Sequence, residues 1–272
     1  MIKRSLTAII GLPIVLVILI FGNKYVMDVI VAILAIFGIH EYMKCVSNKF
    51  KPISWVGYLL AIAIAGLHII PFDSLLQYLP LVLISIIAIL FMHVVFSDMK
   101  INFIDIAVTL IGILYIVGFF AFISLIYAVE KEGFNIGKIY IAFLFFATWG
   151  SDIFAFLIGM KFGKHKFSKI SPKKSIEGCI AGIISGVLLV TISSIIFGNI
   201  FNIDFNYFAI VIIAFIINIL GQIGDFSASC IKRYCEVKDF SNLLPGHGGI
   251  IDRFDSVIFA APFAYYLLIM LI

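Results

Sequence analysis

Apolar residues in this chain come in long unbroken runs, without the alternation of a half-buried strand or the one-sided stripe of a helix on a soluble core. Crossing about 30 Å of hydrocarbon takes about 20 mostly apolar residues. Runs of that order, separated by polar, Gly or Pro breaks, fall at about 5–22, 25–43, 53–70, 75–97, 104–127, 138–160, 176–197, 206–226 and 250–272. Backbone N–H and C=O groups in lipid need partners inside the protein, and continuous runs without period-two alternation supply them as helices, not as a barrel. The pattern predicts an all-α, polytopic membrane helical bundle of about nine transmembrane helices. Lys3 and Arg4 ahead of the first run imitate a signal peptide. No small-residue cleavage site follows and further spans come at once, so the run reads as the first helix.

Composition strengthens the membrane reading: 63% of the 272 residues are hydrophobic and 12% charged, against about half and a quarter in soluble domains. The placement of charge then orients the chain. With the N-terminus in the cytoplasm, 16 of the 19 Lys and Arg residues fall on the inner side, and only Lys24, Lys131 and Lys138 fall outside. This predicts a multi-pass protein of the cytoplasmic membrane with inner loops at 161–175 and 227–249 and an external C-terminus. The formal charge of +4 understates a basic inner face suited to anionic lipid headgroups and nucleotide phosphates. Nucleic acid is not an expected partner. Cys45, Cys179, Cys230 and Cys235 all map to inner ends or loops, form no C-x-x-C pair and read as structural.

The chain divides by chemistry into residues 1–137, a transmembrane scaffold, and residues 138–272, a catalytic region. In the first part, Glu41 beside His40 is able to reach a site, but a carboxylate at an interface is more often simply solvated. His68 and His93 read as structural. In the second part, polar groups enter the spans. Asp152 lies in the inner half of its helix beside Ser151 and Trp149, where a carboxylate calls for a partner or a polar cavity. Asn218, Gln222, Asp225 and Ser229 share one helix face. Such a stripe either glues helices together or lines a site; an acid ending it near the cytoplasm favours a site.

Two loops concentrate the rest. Residues 163–178 hold Lys164, His165, Lys166, Ser171, Pro172, Lys173, Lys174, Ser175 and Glu177, which look like a phosphate clamp; the plainer reading is a positive-inside flank. Pro172 between hydroxyls at a helix start, with Glu177 close by, is more specific than lysine enrichment. The later loop runs from Lys232-Arg233 through Lys238-Asp239 to Pro245-Gly246-His247-Gly248-Gly249, and a helix then opens with Asp252, Arg253 and Asp255. Glycines before a helix free backbone N–H groups for phosphate, and the helix dipole adds to that attraction. Asp252 and Asp255 would repel a triphosphate, so their natural use is to hold a divalent cation. Gly159-x-x-x-Gly163-Lys164 is one residue short of a Walker A loop and suits helix packing instead.

The run from Ser229 through Lys232-Arg233, Lys238-Asp239 and Pro245-Gly-His-Gly-Gly to Asp252-Arg-Phe-Asp255 resembles the signature of the phosphatidate cytidylyltransferase family. Ser171-Pro172-Lys173-Lys174-Ser175, Gly224-Asp225 and Asp152 with Gly159 and Phe162-Gly163 also look like family motifs. Where the family commonly has Thr-Trp after the two lysines, this chain has Ser175-Ile176. The resemblance implies transfer of CMP from CTP to phosphatidate, giving CDP-diacylglycerol and pyrophosphate, by a Mg²⁺-dependent enzyme that is often a homodimer. It also leaves room for K⁺ as a second cation. Carried over by position, Asp225, Asp252 and Asp255 would be metal ligands, and Asp225, Asp252, Lys238 and His247 the catalytic candidates. The substrate-binding candidates are Asp152, Ser171, Lys173, Lys174, Ser175, Ser229, Lys232, Arg233, Asp239, Gly248, Gly249 and Arg253. A transporter is the first alternative, disfavoured because the chemistry lies at one face and no inverted repeat is apparent. A CTP-using lipid kinase needs the same clamp, and an inactive homologue is disfavoured by the filled signature.

Overall fold

A computed structural model describes residues 13, 17–98, 100–168, 170–172, 174–243, 246 and 248–271. Among these the chain is helical, with isolated antiparallel bridges at Lys131–Phe134 and Lys166–Ser175 in place of strands. We number the helices α1 Lys24–Val46, α2 Ser54–Ala63, α3 Phe72–Phe96, α4 Phe103–Gly112, α5 Phe119–Tyr127, α6 Gly137–Phe145, α7 Ser151–Phe162, α8 Ile176–Phe201, α9 Tyr207–Tyr234 and α10 Ile251–Ile269. π-helical turns at Ile113–Gly118 and Phe146–Gly150 join α4 to α5 and α6 to α7, making two long helices out of four.

Among the described residues, six helical stretches are long and apolar enough to cross a membrane: Lys24–Val46, Asp73–Phe96, Phe103–Tyr127, Gly137–Phe162, Ile176–Phe201 and Tyr207–Tyr234. Ser54–Gly66 is shorter, closing in a 3₁₀ turn at Ile64–Gly66. Helix α10 covers the last predicted run but carries Asp252, Arg253 and Asp255 in its opening turns. Most of the first predicted run lies outside the described residues. Outward side chains such as Leu81, Ile84, Ile184, Leu188 and Phe208 are exposed and apolar, as lipid contact requires.

Two compact units emerge. One comprises the described residues as far as Ser124 together with Cys235–Ile251; the other comprises Leu125–Tyr234 and Asp252–Ile272. In the first unit the helix ends are capped by their own sequence. Asn23 accepts the Val26 N–H at 2.9 Å, and Asn102 with Asp105 forms a capping box at the start of α4. Tyr42 of α1 reaches the Val108 carbonyl at 3.0 Å across Gly112, where a Cβ would meet the tyrosine ring at 2.2 Å. Buried Asp28 accepts hydrogen bonds from Ser124 Oγ and from the His68 N–H at 3.0 Å, and lies 2.7 Å from His68 Nδ1. His68 therefore has the structural role its sequence suggested.

In the second unit, α8 meets its neighbours along Gly178, Gly182 and Gly186. A Cβ at these positions would come within 2.6 Å of the Ala155 carbonyl, 2.8 Å of Ser151 Oγ and 2.1 Å of Asn218 Oδ1 respectively. Small residues at helical spacing let backbones approach where lipid provides no hydrophobic drive. Gly159 takes part in this packing, with Gly178 Cα 3.6 Å from its would-be Cβ. On the polar stripe of α9, Asn218 donates back to the Ala214 carbonyl of its own helix at 2.7 Å, whereas Gln222 donates to the Cys179 carbonyl of α8 at 2.9 Å and so ties the two helices together. Asp225 and Ser229, further along the same helix, approach each other at 3.4 Å.

Candidate active site

The acidic cluster belongs wholly to the second unit, and glycine builds it. A Cβ at Gly224 would stand 2.6 Å from the Asp255 carbonyl and 2.5 Å from Phe259 Cβ, so only glycine lets α9 lie this close to α10. Asp225 follows at once in the chain. Asp152, just past the π-helical turn, accepts Ser256 Oγ at 3.1 Å. Asp152, Asp225 and Asp255 are close enough to repel one another. Asp255 is 7% exposed and accepts the Ser256 N–H at 2.9 Å; among the described residues no basic side chain forms an ion pair with it.

Two lysines answer the other acids. Lys174 Nζ lies 2.5 Å from Asp225 Oδ2, and Lys232 Nζ lies 2.6 Å from Asp252 Oδ1. Burial pushes the Lys174 ammonium down, but the Asp225 carboxylate, with Asp152 behind it, outweighs burial and holds its pKa above the ordinary lysine value. Ser229 Oγ stands 3.4 Å from Asp225 Oδ1, a long contact. Trp149 donates from Nε1 to the Arg253 carbonyl at 3.1 Å and stacks on Phe145 at 4.4 Å. The Arg253 side chain is exposed.

The 163–175 loop is a stapled hairpin. Phe167 N–H bonds the Lys174 carbonyl at 3.0 Å, and Ile176 N–H the His165 carbonyl at 2.9 Å. Glu177 accepts the Lys164 and His165 N–H groups, each at 3.2 Å, and lies 2.6 Å from His165 Nδ1. Ser175 is the N-cap of α8, accepting the Gly178 N–H at 3.1 Å, so in this arrangement its hydroxyl serves the helix. The Ser171 carbonyl accepts the Lys174 N–H at 3.1 Å. Lys173 and His247 lie outside the described residues.

The stretch of the signature from Cys235 to Ile251 belongs to the first unit, and Glu41 organises it. This carboxylate is 2% exposed. It accepts Ser241 Oγ at 2.6 Å, the Ile250 N–H at 2.9 Å and the Ile251 N–H at 3.0 Å. A Cβ on Gly249 would stand 2.4 Å from Glu41 Oε2. The amides at the α10 start, which the sequence suggested were open to phosphate, are thus already bound to an anion from the protein itself. Asn48 bonds the Cys235 carbonyl at 3.1 Å and Lys49 pairs with Glu236 at 2.8 Å, so two more residues of the predicted scaffold hold this loop. Gly248 has a φ of +81°, a backbone state that favours glycine. Lys238 and Asp239 are exposed, as is Arg233.

Sequence reasoning did not find that Glu41 holds this loop, and it gave no role to Ser241 or Ser256. The one signal for Glu41 was a carboxylate at the end of a span.

Acids interleaved with lysines thus gather at one end of α8, α9 and α10. Residues 2–271 match the model of the Cytidylyltransferase family, and the chain belongs to that family. Among its relatives are proteins named phosphatidate cytidylyltransferase from Staphylococcus haemolyticus (35% identical, covering 98% of this chain and 99% of the relative) and Staphylococcus saprophyticus (36%, covering 98% and 99%). The Staphylococcus aureus (strain COL) protein of the same name is 35% identical over 98% of each chain.

Proposed function

We propose that this chain is a phosphatidate cytidylyltransferase: it transfers CMP from CTP to phosphatidate and releases pyrophosphate. The observation that carries the reading is the pair of lysine–aspartate contacts, Lys174–Asp225 and Lys232–Asp252, beside a buried acid, Asp255, that forms no ion pair among the described residues, in a chain of this family. An oxygen of the phosphatidate phosphate bonds to the α-phosphorus of CTP. The bond from that phosphorus to the bridging oxygen breaks, and pyrophosphate leaves with the electron pair. The attacking phosphate is already anionic near neutral pH, so the protein's task is positioning and charge neutralisation.

Lys174 and Lys232 are held ready to exchange a carboxylate for phosphate oxygens. Lys173, Arg233 and Lys238 add positive charge to the approach, and His247 donates a hydrogen bond or proton. What supports a divalent cation is the mutual repulsion of Asp255, Asp225 and Asp152, which a cation would relieve. Among the described residues no three acid, His or Cys groups stand together at ligand spacing. Asp225, Asp252 and Asp255 are the residues that would hold Mg²⁺. Bound there, Mg²⁺ would supply charge neutralisation for the phosphates and the departing pyrophosphate. K⁺ as a second cation, a homodimer, about nine spans, a cytoplasmic N-terminus and a site open to the cytoplasm complete the proposal. Purified protein given phosphatidate, CTP and Mg²⁺ should form CDP-diacylglycerol and pyrophosphate; failure to form either contradicts it.

A further inference from the structure

A pair of stacked aromatic rings sits beside the lysine clamp and has no part in the phosphate chemistry. Phe167, on the 163–175 hairpin, stacks on Phe226 of α9 with centroids 4.6 Å apart and planes inclined by 20°. Lys174 Nζ lies 4.4 Å from the centre of the same Phe226 ring while it contacts Asp225. Phe226 is next to Asp225 in sequence, so the stack begins where the phosphate-handling groups begin. Burial alone does not account for Phe167, which is 49% exposed among Lys164, His165, Lys166 and Ser168. Nor is it on a loose loop, since its N–H is bonded to the Lys174 carbonyl and the hairpin is closed on both sides by the His165–Ile176 and Glu177 contacts.

We propose that Phe167 and Phe226 form a stacking platform for the cytosine ring of CTP, with Lys174 taking the phosphates of the same nucleotide. The proposal rests on the cytidylyl-transfer reading and adds to it the residues that hold the base. A parallel aromatic pair with an accessible outer ring extends naturally by one more flat ring. Base–aromatic stacking contributes about 1–3 kcal/mol, and it places the nucleotide without needing to read its hydrogen-bonding edge. The cation held over Phe226 adds a favourable cation–π contact to the platform. The platform so formed accepts a nucleobase on stacking alone, and choice of cytosine over other bases falls to groups at the ring's edge.

The test compares Phe167→Leu and Phe167→Tyr with the wild type in membranes or detergent, varying CTP and phosphatidate separately. Leu should raise KM for CTP by about tenfold, equivalent to about 1.4 kcal/mol, and leave KM for phosphatidate within about twofold. Tyr, which restores the ring, should return KM for CTP close to the wild-type value. In a Phe167→Trp variant, CTP should quench the added indole fluorescence, read as the difference from wild type, while inorganic tripolyphosphate should not. That titration needs no turnover, so failure of the platform and failure of catalysis are separately visible. An unchanged KM for CTP with the Leu variant, a raised KM for phosphatidate alone, or equal quenching by tripolyphosphate would each overturn the proposal, the second showing that the ring faces lipid.

Discussion

Glu41 accepts the backbone N–H of Ile251, a residue 210 positions later in the chain, at 3.0 Å. A helix N-terminus leaves several N–H groups without intrahelical partners, and a buried carboxylate satisfies two of them here. The cost of burying that charge is offset by three hydrogen bonds, two of them at the positive end of the α10 dipole. Replacing Glu41 by Ala should strand two amides and a hydroxyl, at about 1–3 kcal/mol for each group left buried without a partner. Thermal unfolding in detergent should show a clear fall in Tm and activity should drop with it. Gly249→Ala, which drives a methyl into the same carboxylate, should do likewise. Wild-type stability and activity in Glu41→Ala would remove this residue from the account.

Asp225→Asn and Asp252→Asn should each abolish nearly all activity while the protein still folds and inserts. Each change keeps the side-chain shape and removes one charge from a lysine pair and from the cation site. Retention of more than about a tenth of the wild-type rate, a loss under about 1.4 kcal/mol, would contradict a direct role in the chemistry.

The Lys174 pKa is raised, which sets a direction for pH dependence. A raised cationic pKa means the folded state holds its proton more tightly than the unfolded chain. The stabilisation is therefore complete below the unfolded lysine value of about 10.4 and is lost as pH rises through the higher folded value. Thermal stability of the wild type relative to Lys174→Met should be flat from neutral pH to about pH 9 and converge only in strong alkali. Convergence near neutral pH would show that the ammonium is not held by Asp225.

Helix positions were legible because lipid imposes a simple rule on them. The run predicted at 176–197 is observed as Ile176–Phe201, and the hydroxyl before it, Ser175, caps the helix as serine at that position should. The segment predicted at 53–70 is less regular: its α-helix stops at Ala63, and the chain then turns so that His68 meets Asp28. Hydropathy does not register such polar contacts. Among the candidate-site residues, Asp152 and Asp225 were legible as acids within spans. The partnership of Glu41 with Ser241 and Ile250 was not, since nothing local links residues some 200 positions apart. The glycine loop suggested a phosphate cradle, but local sequence could not reveal that another part of the chain supplies the anion.

The proposed orientation places both basic loops in the cytoplasm. In a cysteine-free background, single cysteines at Ser168 and Asn242 should resist impermeant thiol reagents in intact cells and react once the membrane is opened. Ready labelling from outside would reverse the topology.

Cytidylyl transfer and phosphoryl transfer differ in which phosphorus of CTP ends in the lipid. Purified protein should be incubated with phosphatidate, Mg²⁺ and CTP labelled at one phosphate at a time, and the organic and aqueous phases counted separately. Cytidylyl transfer predicts that label from the α-phosphate enters the organic phase, while γ-label stays in water as pyrophosphate. Phosphoryl transfer by a lipid kinase would use the same lysines and acids and give the opposite partition. Appearance of γ-label in lipid, with none from the α-position, would contradict the account.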